Sequence, residues 1–162
     1  ILESGEAVLI ANELMANPSL EDLGAAIHAA QYLDKEIAYQ PAVDFLSRVV
    51  ELAEKPFADT EELGRCTSWL GNAFQTTGQY DQALENHQKS LEIRLKQLGP
   101  DHPHVGISYN NIGNVHNDKG DSDQALEYYQ KSLAIYESRG DEGEAQVLRE
   151  KIANLESGQS NA

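Results

Sequence analysis

The eighteen residues "GPDHPHVGISYNNIGNVH", from Gly99 to His116, hold three histidines, one aspartate and three asparagines. Two kinds of chemistry could use them. His102 and His104 stand two apart beside Asp101, and alternate side chains of an extended segment can converge on one metal ion. The asparagines Asn110, Asn111, Asn114 and Asn117 step by one, three and three. On a helix that spacing sets their amides along one face, each offering a donor and an acceptor. Which chemistry applies depends on the elements that carry them.

Those elements repeat. "LGNAFQTTGQYDQALENHQKSLEIRLKQL" (Leu70 to Leu98) aligns with "IGNVHNDKGDSDQALEYYQKSLAIYESRG" (Ile112 to Gly140) at an offset of 42, with 13 of 29 positions identical. A weaker copy, "YQPAVDFLSRVVEL" (Tyr39 to Leu52), lies 41 residues before Tyr80. A fixed period of this length marks a repeat architecture. Within a unit the apolar period is helical. Leu63, Cys66, Leu70 and Phe74 form one stripe, and Ala83, Leu84, His87, Leu91, Leu95 and Leu98 form another. Gly78 and Gly120 are placed to end the first helix of a unit, with Asp81 and Asp123 at the start of the second. Small residues at Gly71 and Ala83, and again at Gly113 and Ala125, let the paired helices approach closely.

The pattern predicts helices over 3–16, 20–36, 40–54, 60–77, 80–98, 104–118, 122–138 and 142–157, with no competing strand. Ala145, Leu148, Ile152 and Leu155 give the last helix one apolar face, suited to capping a stack.

The residues "LGNAF…G-Y-QAL…SL" and "IGNVH…G-S-QAL…SL" resemble the tetratricopeptide repeat, and "LGPDHPHV" with "NNIG" is similar to the longer repeats of kinesin light chains. The resemblance implies an all-α, right-handed solenoid of antiparallel helix pairs spanning residues 1–157. Its parts are a partial repeat or N-terminal capping helix (1–18), repeats over 20–57, 60–100 and 102–140, a capping helix (141–157) and a disordered tail (158–162). The first repeat departs from the pattern, with Ala30 for glycine and Ile37 where the others have Gly78 and Gly120. The resemblance makes "GPDHPH" an inter-repeat turn, with Asp101 or His102 capping the next helix and Pro103 in its first turn. His116 and His87 then fall on packing stripes. It also places Arg65, Ser68, Trp69, Asn72 and Gln75 of one repeat, and Asn110, Asn111, Asn114 and Asn117 of the next, along a concave peptide-binding groove. Ile107 and Asp118 also fall at groove positions. Ile27, Ser68 and Asn110 stand where the family's carboxylate clamp would carry lysine, which argues against that ligand.

The expected function is a non-catalytic protein–protein interaction module that holds an extended segment. The alternative is self-association, including a homo-oligomer, or packing on an effector domain of a longer parent. Ile1 in place of an initiator methionine reads as a piece of a longer chain. No phosphate loop, Gly-x-Ser-x-Gly, His-Glu-x-x-His or Cys-x-x-Cys is present, so no enzyme, metal or cofactor is expected. The formal charge of -15, with 27 acidic against 12 basic residues, disfavours nucleic acid and anionic membrane and favours a neutral or basic protein partner. Arg65 and Lys35 are the bases expected near the groove, opposed by Asp34 and Asp118. A lone Cys66 cannot form an internal disulfide, which points to a cytoplasmic setting.

Overall fold

The computed structural model describes residues 9–13, 16, 19, 23–26 and 39–159. The expected helices 3–16 and 20–36 lie mostly outside the described residues, as do Asp34 and Lys35; 9–13 and 23–26 are helical. Six further helices follow: α1 (Tyr39–Ala53), α2 (Glu61–Thr76), α3 (Tyr80–Leu98), α4 (Pro103–Lys119), α5 (Ser122–Arg139) and α6 (Glu142–Gln159). No strand occurs among the described residues. The expected boundaries hold to within two residues, and α6 runs on to Gln159 where 158–162 was expected to be disordered. Residues 160–162 are not described.

The helix ends follow from local chemistry. Thr60 caps α2, its Oγ1 accepting the Leu63 N–H at 3.3 Å. His102 caps α4 with its ring: Nδ1 accepts the His104 N–H at 3.2 Å, and Pro103 follows at a position whose N–H would have no helical partner. The ring edge of His104 meets that of His102 at 5.0 Å between centroids. Both rings thus belong to the turn, and no group of three or more His, Cys, Asp or Glu side chains is gathered for a metal among the described residues. Gly120 ends α4 at φ 88°, a left-handed conformation that costs a side-chain-bearing residue about 1 kcal/mol or more.

The chain divides into two compact units, residues 1–97 and 98–162. In the first, α1 and α2 pack around Phe45, Leu46, Val49, Leu63, Cys66 and Leu70, all buried, with α3 contributing Ile93. Cys66 lies wholly inside this core, and burial pushes its thiol up to about 12, so it is a packing residue rather than a nucleophile. In the second unit Ala125, Tyr129, Tyr136, Ala145 and Leu148 form the core, joining α5 to α6, with Ile152 and Leu155 half-buried against it. Both units use the same device between their paired helices. Ser90 Oγ donates to the Gly64 carbonyl at 2.7 Å, and Ser132 Oγ donates to the Gly106 carbonyl at 2.8 Å. Each buried hydroxyl is thereby satisfied where two backbones come close.

Candidate functional site

The polar face of the second unit is built on α4. Its packing side carries Val105, Gly106, Ile112, Gly113 and Val115, all buried. Helical spacing therefore turns Asn110, Asn111, Asn114 and Asn117 to the edge and outside of the core: the first three are half-buried and Asn117 is exposed. Asn111 makes a polar contact of its own.

Two residues that α4 does not contain organise this face. Lys151, from α6, donates to Asn110 Oδ1 and to Asn114 Oδ1, both at 2.8 Å. Its ammonium also lies 5.1 Å from the centroid of the Tyr129 ring. Tyr129, from α5, donates its hydroxyl to the same Asn114 oxygen at 2.9 Å. Burial and the Asp118 charge push the Tyr129 phenol up to about 12, so it remains a donor at neutral pH. Burial lowers the Lys151 ammonium from its ordinary value, and Asp118 opposes that shift. A cleft of about 220 Å³ opens here, lined by Asn114, Asn117, Tyr129, Lys151, Asn154 and Leu155. A second, of about 190 Å³, is lined by Asn110, Tyr136, Gly143, Glu144, Val147 and Leu148. Ile107 and Val147 remain 39% and 55% exposed, which supplies apolar surface beside the amides.

The corresponding face of the first unit differs. Arg65, Asn72 and Gln75 are half-buried on α2, and Gln75 makes a polar contact of its own. Ser68, expected at the groove, is 6% exposed and offers a ligand little surface. Trp69 is half-buried and packs against the core of the first unit. His87 occupies the place that Tyr129 takes one repeat later. Its ring fills the space left by Gly71, where a Cβ would stand 2.7 Å from it. The Nε2 of His87 has no hydrogen-bond partner among the described residues, and burial with Arg94 nearby lowers the ring to about 4. It is therefore a neutral packing group at physiological pH. His116, the third histidine of the opening stretch, stacks on Tyr128 at 5.5 Å and 8°, with Asp121 at 3.5 Å.

Lys151 and Tyr129 were not singled out from the sequence as site residues. Tyr129 had a visible signal, since it aligns with the buried His87 stripe and carries a hydroxyl that must find a partner. Lys151 had none: it lies past the last aligned repeat.

Paired helices bonded through buried serine hydroxyls, with a polar face on the first helix of each pair, define a helical-repeat protein. Residues 64–138 match the family model described as tetratricopeptide repeat. Solved structures of the same fold cover 98% of this chain. BtubC (BKLC) from P. vanneervenii is 17% identical, with a TM-score of 0.69 over 72% of its own chain. A candidate kinesin light chain from Podosopora anserina, with nearly identical TPR-like repeats, is 19% identical, with a TM-score of 0.65 over 90% of its chain. MamA is 19% identical, with a TM-score of 0.57 over 93% of its chain. No curated protein matches the sequence. Residues 64–138 match the tetratricopeptide repeat, and the chain is similar in fold to kinesin-light-chain-like repeats. This is a fold of protein–protein interaction scaffolds. No helix among the described residues is long and apolar enough to cross a membrane.

Proposed function

We propose that the chain is a non-catalytic adaptor whose first-helix faces hold an extended peptide segment largely by its backbone. The observation that carries this reading is the composition of the α4 face: four asparagines on one helix, none of them in the core, beside two clefts and the exposed Ile107 and Val147. Asparagine is a mediocre helix former because its amide competes for nearby backbone groups, so four on one helix cost stability that ordinary packing does not return. Amides beside apolar surface suit an extended chain, whose backbone offers both donors and acceptors without demanding one sequence. In the first unit the half-burial of Arg65, Trp69, Asn72 and Gln75 is compatible with a polar face of its own. The net charge of -15 steers a neutral or basic segment toward the protein and an acidic one away. Nucleic acid and anionic membrane are disfavoured by the same field.

The test is an array of synthetic peptides read by fluorescence polarisation at two ionic strengths, with wild type and the Asn111→Ala/Asn114→Ala double variant. Neutral or basic binders lost in the double variant support the reading. Predominantly acidic binders would overturn the charge argument.

Self-association is the second reading, and one observation favours it: Leu9 and Ile10, 62% and 43% exposed, form an apolar pair on the surface of the first unit. Light scattering across concentration separates the two, since a peptide-binding monomer keeps a constant mass.

A further inference from the structure

We propose that Lys151 is the positioning residue that fixes what the asparagine face reads: it holds the amide oxygens of Asn110 and Asn114 inward, so that their Nδ2–H groups face a ligand and select backbone carbonyl oxygens. This inference rests on the peptide-binding reading above and assigns its chemistry.

An ammonium can only donate. Whichever way an amide is first drawn, the atom 2.8 Å from Lys151 Nζ must be oxygen in both Asn110 and Asn114. At Asn114 the assignment is doubly fixed, because the Tyr129 hydroxyl donates to the same oxygen at 2.9 Å. With two donors on it, that oxygen has no lone pair to spare. The two Nδ2 groups find no acceptor among the described residues. The two residues are half-buried on the cleft walls, and their Nδ2 groups are not buried from solvent, so a ligand carbonyl can take the place of water there.

Lys151 differs from three other cations of its unit. Lys131 pairs with Glu127, Arg139 with Asp141, and Arg149 with Glu137 and Glu142. Lys151 has no carboxylate within ion-pair distance among the described residues, and it spends its protons on two amides while resting over an aromatic ring. The ammonium's own field behind the two N–H donors is positive, and the Asp118 carboxylate, outside ion-pair distance, offsets part of it. That field attracts a carbonyl oxygen and repels a basic side chain at this point.

The spacing fits the same ligand. Asn110 and Asn114 are one helical turn apart, about 6 Å along the axis. Carbonyls on one side of an extended chain recur every second residue, about 6.6 Å apart. Two successive same-side carbonyls can therefore meet the two amides if the segment lies along α4.

The probe is the tightest-binding neutral peptide from the synthetic array, resynthesised in two scans. Ester replacement of each backbone amide weakens one carbonyl acceptor and removes one N–H; N-methylation removes the N–H and keeps the carbonyl. Wild type should show two positions, two residues apart, where the ester weakens binding about five-fold while N-methylation is tolerated. Lys151→Met should lose that signature, and Lys151→Arg, which can still donate to both oxygens, should keep it. Unchanged circular dichroism and melting of Lys151→Met ensure that a lost fold is not read as lost specificity. Identical scans for wild type and Lys151→Met overturn the inference while leaving the groove reading standing. Dependence on an aspartate or glutamate of the peptide, in place of the two carbonyls, also overturns it. If wild type binds no peptide, the groove reading fails and this inference falls with it.

Discussion

Gly71 with His87 and Gly113 with Tyr129 occupy the same place in successive repeats, yet they do different work. In both, an absent Cβ admits a ring: a Cβ would stand 2.7 Å from the nearest ring atom in each case. His87 ends in the core with an unpartnered nitrogen. Tyr129 instead carries a hydroxyl through to Asn114 on the polar face. One substitution on a shared backbone thus turns a packing ring into a strut for a site. A repeat frame conserves where side chains go, while the identity at a single position decides whether that place is core or chemistry.

The largest expected effect concerns the buried imidazole. His87 titrates at about 4 in the fold against an ordinary 6.5, so the unfolded chain binds a proton over that interval and the folded chain does not. Its contribution is complete above pH 6.5 and is lost as pH falls toward 4, by up to on the order of 3 kcal/mol. Denaturant titrations across this range should show wild type losing stability relative to His87→Phe as the pH falls. Parallel curves would show that His87 is not buried as described.

Ala83 and Ala125 are both fully buried at the helix crossings. Ala83→Leu and Ala125→Leu should each cost about 1–3 kcal/mol by overfilling. An unchanged melting temperature for both would break the equivalence of the repeats. The glycines sharpen the comparison further. Tyr129 is held at its hydroxyl by Asn114, and His87 has no such hold on its Nε2. Gly113→Ala should therefore cost about 2 kcal/mol and Gly71→Ala about 1 kcal/mol, because the untethered ring can shift. Equal values in urea denaturation would mean that the Asn114 tether carries no strain. The smallest difference is at the serines. Ser132→Ala removes the side-chain donor to the Gly106 carbonyl, whereas the Gly64 carbonyl keeps Thr67 Oγ1 at 3.0 Å after Ser90→Ala. Calorimetry should find both losses near 1 kcal/mol, with Ser132→Ala the larger.

Much of this frame could be read from periodicity alone. The helices from α1 to α6, the small residues at the crossings and the His102–Pro103 start of α4 all follow from local rules of spacing and capping. What could not be read depends on reach between helices. Ser68 sits at an expected groove position, but the turn of α2 toward its neighbours buries it. Lys151 resembles any surface lysine of a capping helix, and only the packing of α6 brings its ammonium to Asn110 and Asn114. Of the bases expected near the groove, Arg65 is half-buried on α2 and Lys35 lies outside the described residues, while Lys151 is the cation beside the asparagines of α4.

Equilibrium titration of the tightest array peptide into wild type, Asn72→Ala and Asn111→Ala/Asn114→Ala tests the central claim most directly. Backbone recognition by amides predicts micromolar-range binding to wild type, about -8 kcal/mol, with modest salt dependence. Truncating both α4 asparagines should weaken binding at least about ten-fold, equivalent to roughly 1.4 kcal/mol, with the fold retained. Asn72→Ala should weaken it less, since that residue lacks the Tyr129-type hydroxyl behind it. Undiminished affinity in the α4 double variant would contradict the assignment of this face as the binding site.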